Sequence, residues 1–181
     1  MHQSKNLVYF DLETQKSAYD VGGWHNVSKM GLSIAVTYST QRGAYYVYTE
    51  KEAPQLIQEL QRADKVIGFN VLKFDYAVLS PYSLFDLSQV PTLDLMVSIE
   101  HVIGHRISLN AVAEASLGVG KTADGMEALK WWKQGKIREI AEYCCFDVKT
   151  TKLLHEYGMN HGKVSYVHSK TGLVKEIPVD W

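Results

Sequence analysis

Leu7-Val8-Tyr9-Phe10-Asp11-Leu12-Glu13-Thr14 is an apolar run that closes on two carboxylates. Side chains two apart on a β-strand share a face. The run predicts a buried strand over about residues 6–13, with Asp11 and Glu13 on one face and Phe10 and Leu12 on the other. Two carboxylates at the exit of an apolar strand are costly unless something positive lies between them. A divalent metal ion is the obvious candidate. The alternative is a strand running into an acidic turn, and further converging carboxylates would decide between the two.

The pattern around this strand predicts the rest of the sheet. Residues 31–38 and 44–48 alternate and are rich in β-branched and aromatic side chains, with Gln41-Arg42-Gly43 as the turn between them. Ala53-Pro54 opens a helix with Leu56, Ile57 and Leu60 on one stripe. Residues 66–69 predict a fourth strand, residues 74–79 a helix stopped before Pro81, and residues 92–95 a short fifth strand or strand–helix junction. Ser108 caps a helix over 109–117, and Asp124 with Glu127 resembles a capping box. A long helix is expected over 137–157, with Ile140, Cys144, Val148 and Leu153 on its apolar side. Residues 163–168 and 173–177 flank Ser169-Lys170-Thr171-Gly172, a hairpin signal. Strands first and then alternating helices and strands predict an α/β fold, a mixed sheet flanked by helices.

Composition bounds the function. The chain has 181 residues, of which 46% are hydrophobic, enough for one domain with a sizeable core. Its net charge of -1 lacks the basic excess of a DNA-coating protein, although an enzyme that holds one strand end needs only a local basic patch. Lys121, Lys130, Lys133, Lys136 and Arg138 are the closest thing to one, and a solvated helical face is the plainer reading of most of them. Cys144 and Cys145 are adjacent and form no normal structural disulfide, so both are expected to be reduced thiols. The first residues lack an apolar signal core and no run reaches membrane-spanning length, so a cytoplasmic protein without membrane contact is expected.

Two more carboxylates stand out. Asp75 follows an apolar strand in Gly68-Phe69-Asn70-Val71-Leu72-Lys73-Phe74-Asp75, where it could instead favour a helix N-terminus. Asp147 lies in Tyr143-Cys144-Cys145-Phe146-Asp147 on the last helix, near an apolar face, where a carboxylate needs a partner. Tyr143, one turn earlier, projects to the same side.

On these residues the chain resembles the DnaQ-like 3′–5′ exonucleases of the DEDD superfamily, within the RNase H-like fold. That family's Asp-x-Glu motif is matched by Asp11-Leu12-Glu13-Thr14, and its Asn followed by Asp at a strand-to-helix junction by Asn70-x-x-x-Phe74-Asp75. Its late Tyr and Asp are matched by Tyr143-x-x-x-Asp147. The histidine subtype would need His where Glu142 stands, so the tyrosine subtype is the one resembled.

The resemblance implies an RNase H-like mixed five-stranded sheet over residues 5–157, with an added C-terminal β-hairpin over 158–181 packed on the same domain. It implies 3′–5′ exonuclease activity on single-stranded nucleic acid, DNA favoured over RNA, releasing nucleoside 5′-monophosphates. Two Mg²⁺ or Mn²⁺ ions are implied, with Asp11, Glu13 and Asp147 holding the water-activating ion, Asp11 bridging, and Asp75 on the side of the second. Tyr143 would position the attacking water, because a phenol is a poor base. Leu12 and Thr14 match positions that meet the 3′-terminal nucleotide. Asn70, Phe74 and Lys121 complete the expected substrate contacts, with Phe74 suited to stacking on a base. A helicase or repair complex is an expected partner; oligomeric state is left open. A nucleic-acid-end binding module and an RNase H-like endonuclease are the competing readings.

The remaining candidates read more plainly. Gly118-Val119-Gly120-Lys121-Thr122 resembles a phosphate-binding loop, but Ala115 stands where glycine is required and a helix precedes it. Trp24, after a double glycine, is placed near the active-site edge, where wedging against a base and loop packing are alternatives. Asp94 reads as a helix cap in preference to a second carboxylate behind the site.

Overall fold

The computed structural model describes residues 5–120 and 123–181. β1 (Leu7–Thr14) lies at the centre of a five-stranded sheet. β2 (Leu32–Ser39) pairs antiparallel with β1, and β3 (Ala44–Thr49) antiparallel with β2. On the other side β4 (Lys65–Gly68) and β5 (Thr92–Asp94) run parallel to β1, giving the order β3-β2-β1-β4-β5. The meander comes from short turns. The parallel strands need crossovers, which helices supply.

The period-two pattern of β1 divides the molecule. Val8, Phe10 and Leu12 enter one core with α1 (Ala53–Arg62) and the short α2 (Asp75–Leu79). Tyr9 enters the other, with α3 (Leu95–Ile103), α4 (Leu109–Leu117) and α6 (Ile137–His161). Asp11 and Glu13 continue the second face, so the sheet turns both carboxylates toward α6. Near that end the β1–β2 register shifts between Glu13 and Thr14, passing over Ser33. Bulges of this kind bend a strand and re-aim side chains beside functional sites.

Several local expectations hold in detail. Ser108 Oγ accepts from the Ala111 N–H, and α4 ends at Gly118 in the left-handed conformation. α5 (Gly125–Lys133) starts with the Asp124 carboxylate accepting from the Glu127 N–H. α2 stops at Leu79, and Pro81 falls in the following 3₁₀ turn, Ser80–Tyr82. The long helix differs from expectation at its C-terminal half. Leu153 is exposed, and the buried stripe runs Ile140, Cys144, Val148, Thr151, Leu154 and His155. A helix of 3.6 residues per turn drifts off a strict four-residue spacing, so the stripe moves past position 153.

The terminal hairpin, β6 (Lys163–Val167) and β7 (Val174–Pro178), forms its own two-stranded sheet. Val164 and Ile177 are fully buried in the α6-side core. Ser116 Oγ of α4 accepts from the Ser165 N–H at 2.8 Å, and Trp181 Nε1 donates to Ser98 Oγ at 2.9 Å. No helix among the described residues is long and apolar enough to cross a membrane.

Candidate active site

Three elements deliver the acidic residues. β1 carries Asp11 and Glu13 on adjacent same-face positions, and α6 lies across that face with Asp147. One oxygen from each of the three lies within 4.8 Å of the others. Cys144, three residues before Asp147, is fully buried and its thiol faces the Asp11 main-chain oxygen at 3.3 Å and Asp11 Oδ2 at 3.4 Å. Tyr143, beside it, hydrogen-bonds to the Asp147 carboxylate, and its ring meets Trp131 of α5 edge-on.

Asp75 approaches from the opposite face. It is the first residue of α2, 2% exposed, and its Oδ1 accepts from the Leu12 N–H at 3.1 Å. It stands outside the group of three and lines the same cleft as Asp11 and Glu13. Asp75 stands in the first turn of α2, where a carboxylate suits the helix N-terminus, and it also reaches across to β1.

The electrostatics follow from this crowding. Burial, then the charges of Asp75, Asp147 and Glu13, pushes the Asp11 carboxyl well above its usual range, against the thiol hydrogen bond from Cys144. Burial, then Asp147 and Asp75, does the same to Glu13. Burial raises Asp147 to about 6, opposed by the Tyr143 hydrogen bond, and raises Asp75 to about 8, with the nearby Asp94 charge adding to the effect. The phenol of Tyr143 is pushed far up by burial and by the surrounding carboxylates, so it stays protonated.

A largely enclosed set of like charges, to which no lysine or arginine among the described residues is paired, fits a hard divalent cation. The donors are all carboxylate oxygens, the ligand type that Mg²⁺, Mn²⁺ and Ca²⁺ prefer, and a bound cation would favour the ionised forms that burial, and around Asp11 and Glu13 also repulsion, now disfavours.

Asp11, Glu13 and Asp75 open onto a cleft of about 630 Å³ between the link that follows β1 and the N-terminal end of α5. Its rim is apolar and aromatic: Phe74 meets Trp24 edge-on at 6.3 Å between centroids, and Trp24 is 72% exposed. Trp24 therefore reaches the site's edge, and its contact with Phe74 joins two positions the sequence treated separately. Leu12 and Thr14 also line the cleft, but their donors are committed: the Leu12 N–H to Asp75, and the Thr14 hydroxyl to the Lys16 carbonyl at 3.0 Å. Asn70 lies in the adjoining loop at φ 69°; its Oδ1 is buried without a hydrogen-bond partner among the described residues. Lys121, the remaining expected substrate contact, lies outside the described residues. Lys130, Lys133, Lys136 and Arg138 are exposed. Lys133 and Lys16 help hold the Asp20 carboxyl below the usual range, behind the hydrogen bonds from Ser17.

Asp94 does more than the sequence showed. It caps α3 by accepting from the Met96 and Val97 N–H groups, as expected. It also accepts from the Asn70 N–H at 2.8 Å and the Leu72 N–H at 3.0 Å. One buried carboxylate thus ties the loop before Phe74 and Asp75 to the end of β5. An Asp before an apolar helix signalled the cap; nothing local signalled the loop.

Comparison with known proteins agrees with this architecture. No curated protein matches the chain. Among solved structures it is similar to the family B DNA polymerase from the hyperthermophilic archaeon Pyrobaculum calidifontis, with a TM-score of 0.65 and 17% identity over 87% of this chain and 25% of that one. The chain spans about a quarter of that polymerase, and the likeness is one of fold. The RNase_H superfamily profile matches residues 8–159, from the first core residue of β1 to near the end of α6. A five-stranded mixed sheet with an acidic residue set on its central strand, matched over that length, establishes that the chain belongs to the RNase_H superfamily.

Proposed function

We propose that the protein is a metal-dependent 3′–5′ exonuclease that hydrolyses single-stranded nucleic acid, with DNA preferred over RNA, and releases nucleoside 5′-monophosphates. The observation that carries this reading is the convergence of the Asp11, Glu13 and Asp147 oxygens within 4.8 Å. Two Mg²⁺ or Mn²⁺ ions held by these residues, with Asp75 on the side of the second, would acidify the attacking water and offset charge on the departing oxygen.

The chain's own groups supply the rest. Tyr143 is a neutral donor beside Asp147, and it orients the water without removing its proton. Phe74 and Trp24 offer aromatic surface to unpaired terminal bases, which stack without regard to sequence. Leu12 and Thr14 line the cleft where the terminal sugar would lie. A helicase or repair complex is the partner such an activity suits.

The test is a time course on 5′- and 3′-labelled single- and double-stranded DNA and RNA with Mg²⁺, Mn²⁺ or EDTA. Stepwise shortening from the 3′ end, abolished by EDTA, is expected. Asp11→Asn and Asp147→Asn should each lower the rate by at least about 100-fold while leaving the fold intact. Full activity in both variants overturns the site, and cleavage of circular single strands replaces the exonuclease with an endonuclease. End binding without metal-dependent turnover identifies a binding module.

A further inference from the structure

We propose that Cys144 is a positioning residue of the acidic centre, whose thiol holds the Asp11 carboxylate toward Glu13 and Asp147 and thereby sets how tightly the centre takes a divalent cation. The proposal rests on reading Asp11, Glu13 and Asp147 as a metal centre.

The geometry is specific. The Cys144 sulfur lies 3.3 Å from the Asp11 main-chain oxygen and 3.4 Å from Oδ2 of the same residue. One S–H donates a single shared proton, so it pins the strand backbone and the carboxyl group together. No other side-chain donor contacts the Asp11 carboxylate among the described residues. The thiol takes one of the carboxylate's roughly four lone-pair sites and leaves the rest for a cation. Asp11 shares the site with Glu13 on its own strand and Asp147 on the facing helix.

The residue type fits the place. The sulfur is wedged between α6 and β1, and its helical neighbours Ile140 and Val148 are, like Cys144, fully buried. A thiol behaves there as a small apolar group that keeps one weak donor. Full burial also removes it from oxidants and alkylating reagents, unlike the half-buried Cys145. α6 therefore brings three side chains to the site from little more than one turn: Tyr143 on Asp147, Cys144 on Asp11, and Asp147 itself.

The experiment measures Mn²⁺ binding directly, by the loss of the free-ion electron paramagnetic resonance signal, alongside thermal melting and oligonucleotide hydrolysis. Wild type, Cys144→Ala, Cys144→Val and Cys144→Ser are compared. Alanine leaves space and valine fills it, and both lack the donor; serine keeps a donor. Outer-sphere ligand partners typically change metal affinity by about 10–100-fold, so the alanine and valine variants should bind Mn²⁺ at least about tenfold more weakly. Both should need more metal for half-maximal rate, with an unchanged KM for the oligonucleotide at saturating metal. Serine should recover Mn²⁺ affinity to within about threefold of wild type. Wild-type affinity in both donor-less variants, or a serine variant as weak as alanine, overturns the role of Cys144. Absence of Mn²⁺ binding by wild type overturns the metal reading and this proposal with it, so the two failures are distinct.

Discussion

Asp75 and Asp147 hold their protons to unusually high pH, about 8 and about 6, chiefly because burial disfavours the charged form. For a carboxyl group whose folded pKa exceeds its unfolded value, the folded state binds more protons across the interval between the two. Stability is then full below the unfolded pKa, near 4, and is lost as pH rises through the folded value. In EDTA the melting temperature should therefore fall between pH 4 and pH 8. Asp147→Asn should remove the part of the decline up to about 6, and Asp75→Asn the part up to about 8. Saturating Mg²⁺ should flatten the wild-type profile, because a bound cation favours the ionised carboxylates. Melts followed by circular dichroism at closely spaced pH values check each part. A wild-type profile that rises with pH in EDTA would show that burial does not disfavour the charged forms of these residues.

At the scale of elements, the site depends on how β4, β5 and the start of α2 are joined. The loop from Phe69 to Phe74 buries Val71 in the α1-side core and is tethered by Asp94, which receives four backbone N–H groups. Leaving a buried donor unmatched costs about 1–3 kcal/mol. Asp94→Ala should thus destabilise the protein by about 3 kcal/mol or more in urea denaturation, with Asp94→Asn milder because its amide oxygen still accepts. Close packing restricts the same loop: a Cβ on Gly68 would fall 2.1 Å from Val71 Cγ1. The sequence made the Asp94 cap legible, since capping is written within three residues. The loop's second tether was not legible, because its partners are 22 and 24 residues away and are main-chain groups of no particular type.

At the scale of the whole molecule, the hairpin after α6 is built into the core that backs the acidic centre. Ile177 and Val164 are buried with Ile140, Cys144 and Val148, and the Trp181 ring stacks on His155, whose Nδ1 pairs with the Tyr9 hydroxyl at 2.9 Å. Gly158 permits this approach, since a Cβ there would come within 2.5 Å of the Trp181 ring. Our proposal is that the hairpin and the rest of the chain unfold as one unit. Ile177→Ala should lower global stability by about 2–4 kcal/mol, the usual cost of emptying a core site. Unfolding curves from tryptophan fluorescence and circular dichroism should coincide for wild type and variant. An early, separate transition in the variant would make the hairpin an independent module.

Local chemistry was enough for much of this protein. The alternation of β1, the turns of the meander, the Ser108 and Asp124 caps and the hairpin are each decided within a few residues, where side-chain period and capping act. The pair Asp11 and Glu13 could also be read there, because a strand sets neighbouring carboxylates on one face. Tertiary structure decided what those side chains meet. It brought Asp147 of α6 to within 4.8 Å of a pair more than 130 positions earlier, and left Asp75 on the other face bonded to Leu12. It also turned Cys144 from an apolar-stripe residue into a donor to Asp11, and Trp24 into the neighbour of Phe74. Such contacts depend on how helices cross the sheet and where a bulge redirects a strand. Those are set by the packing of two whole cores, a sum over many weak contacts that no short stretch of sequence contains.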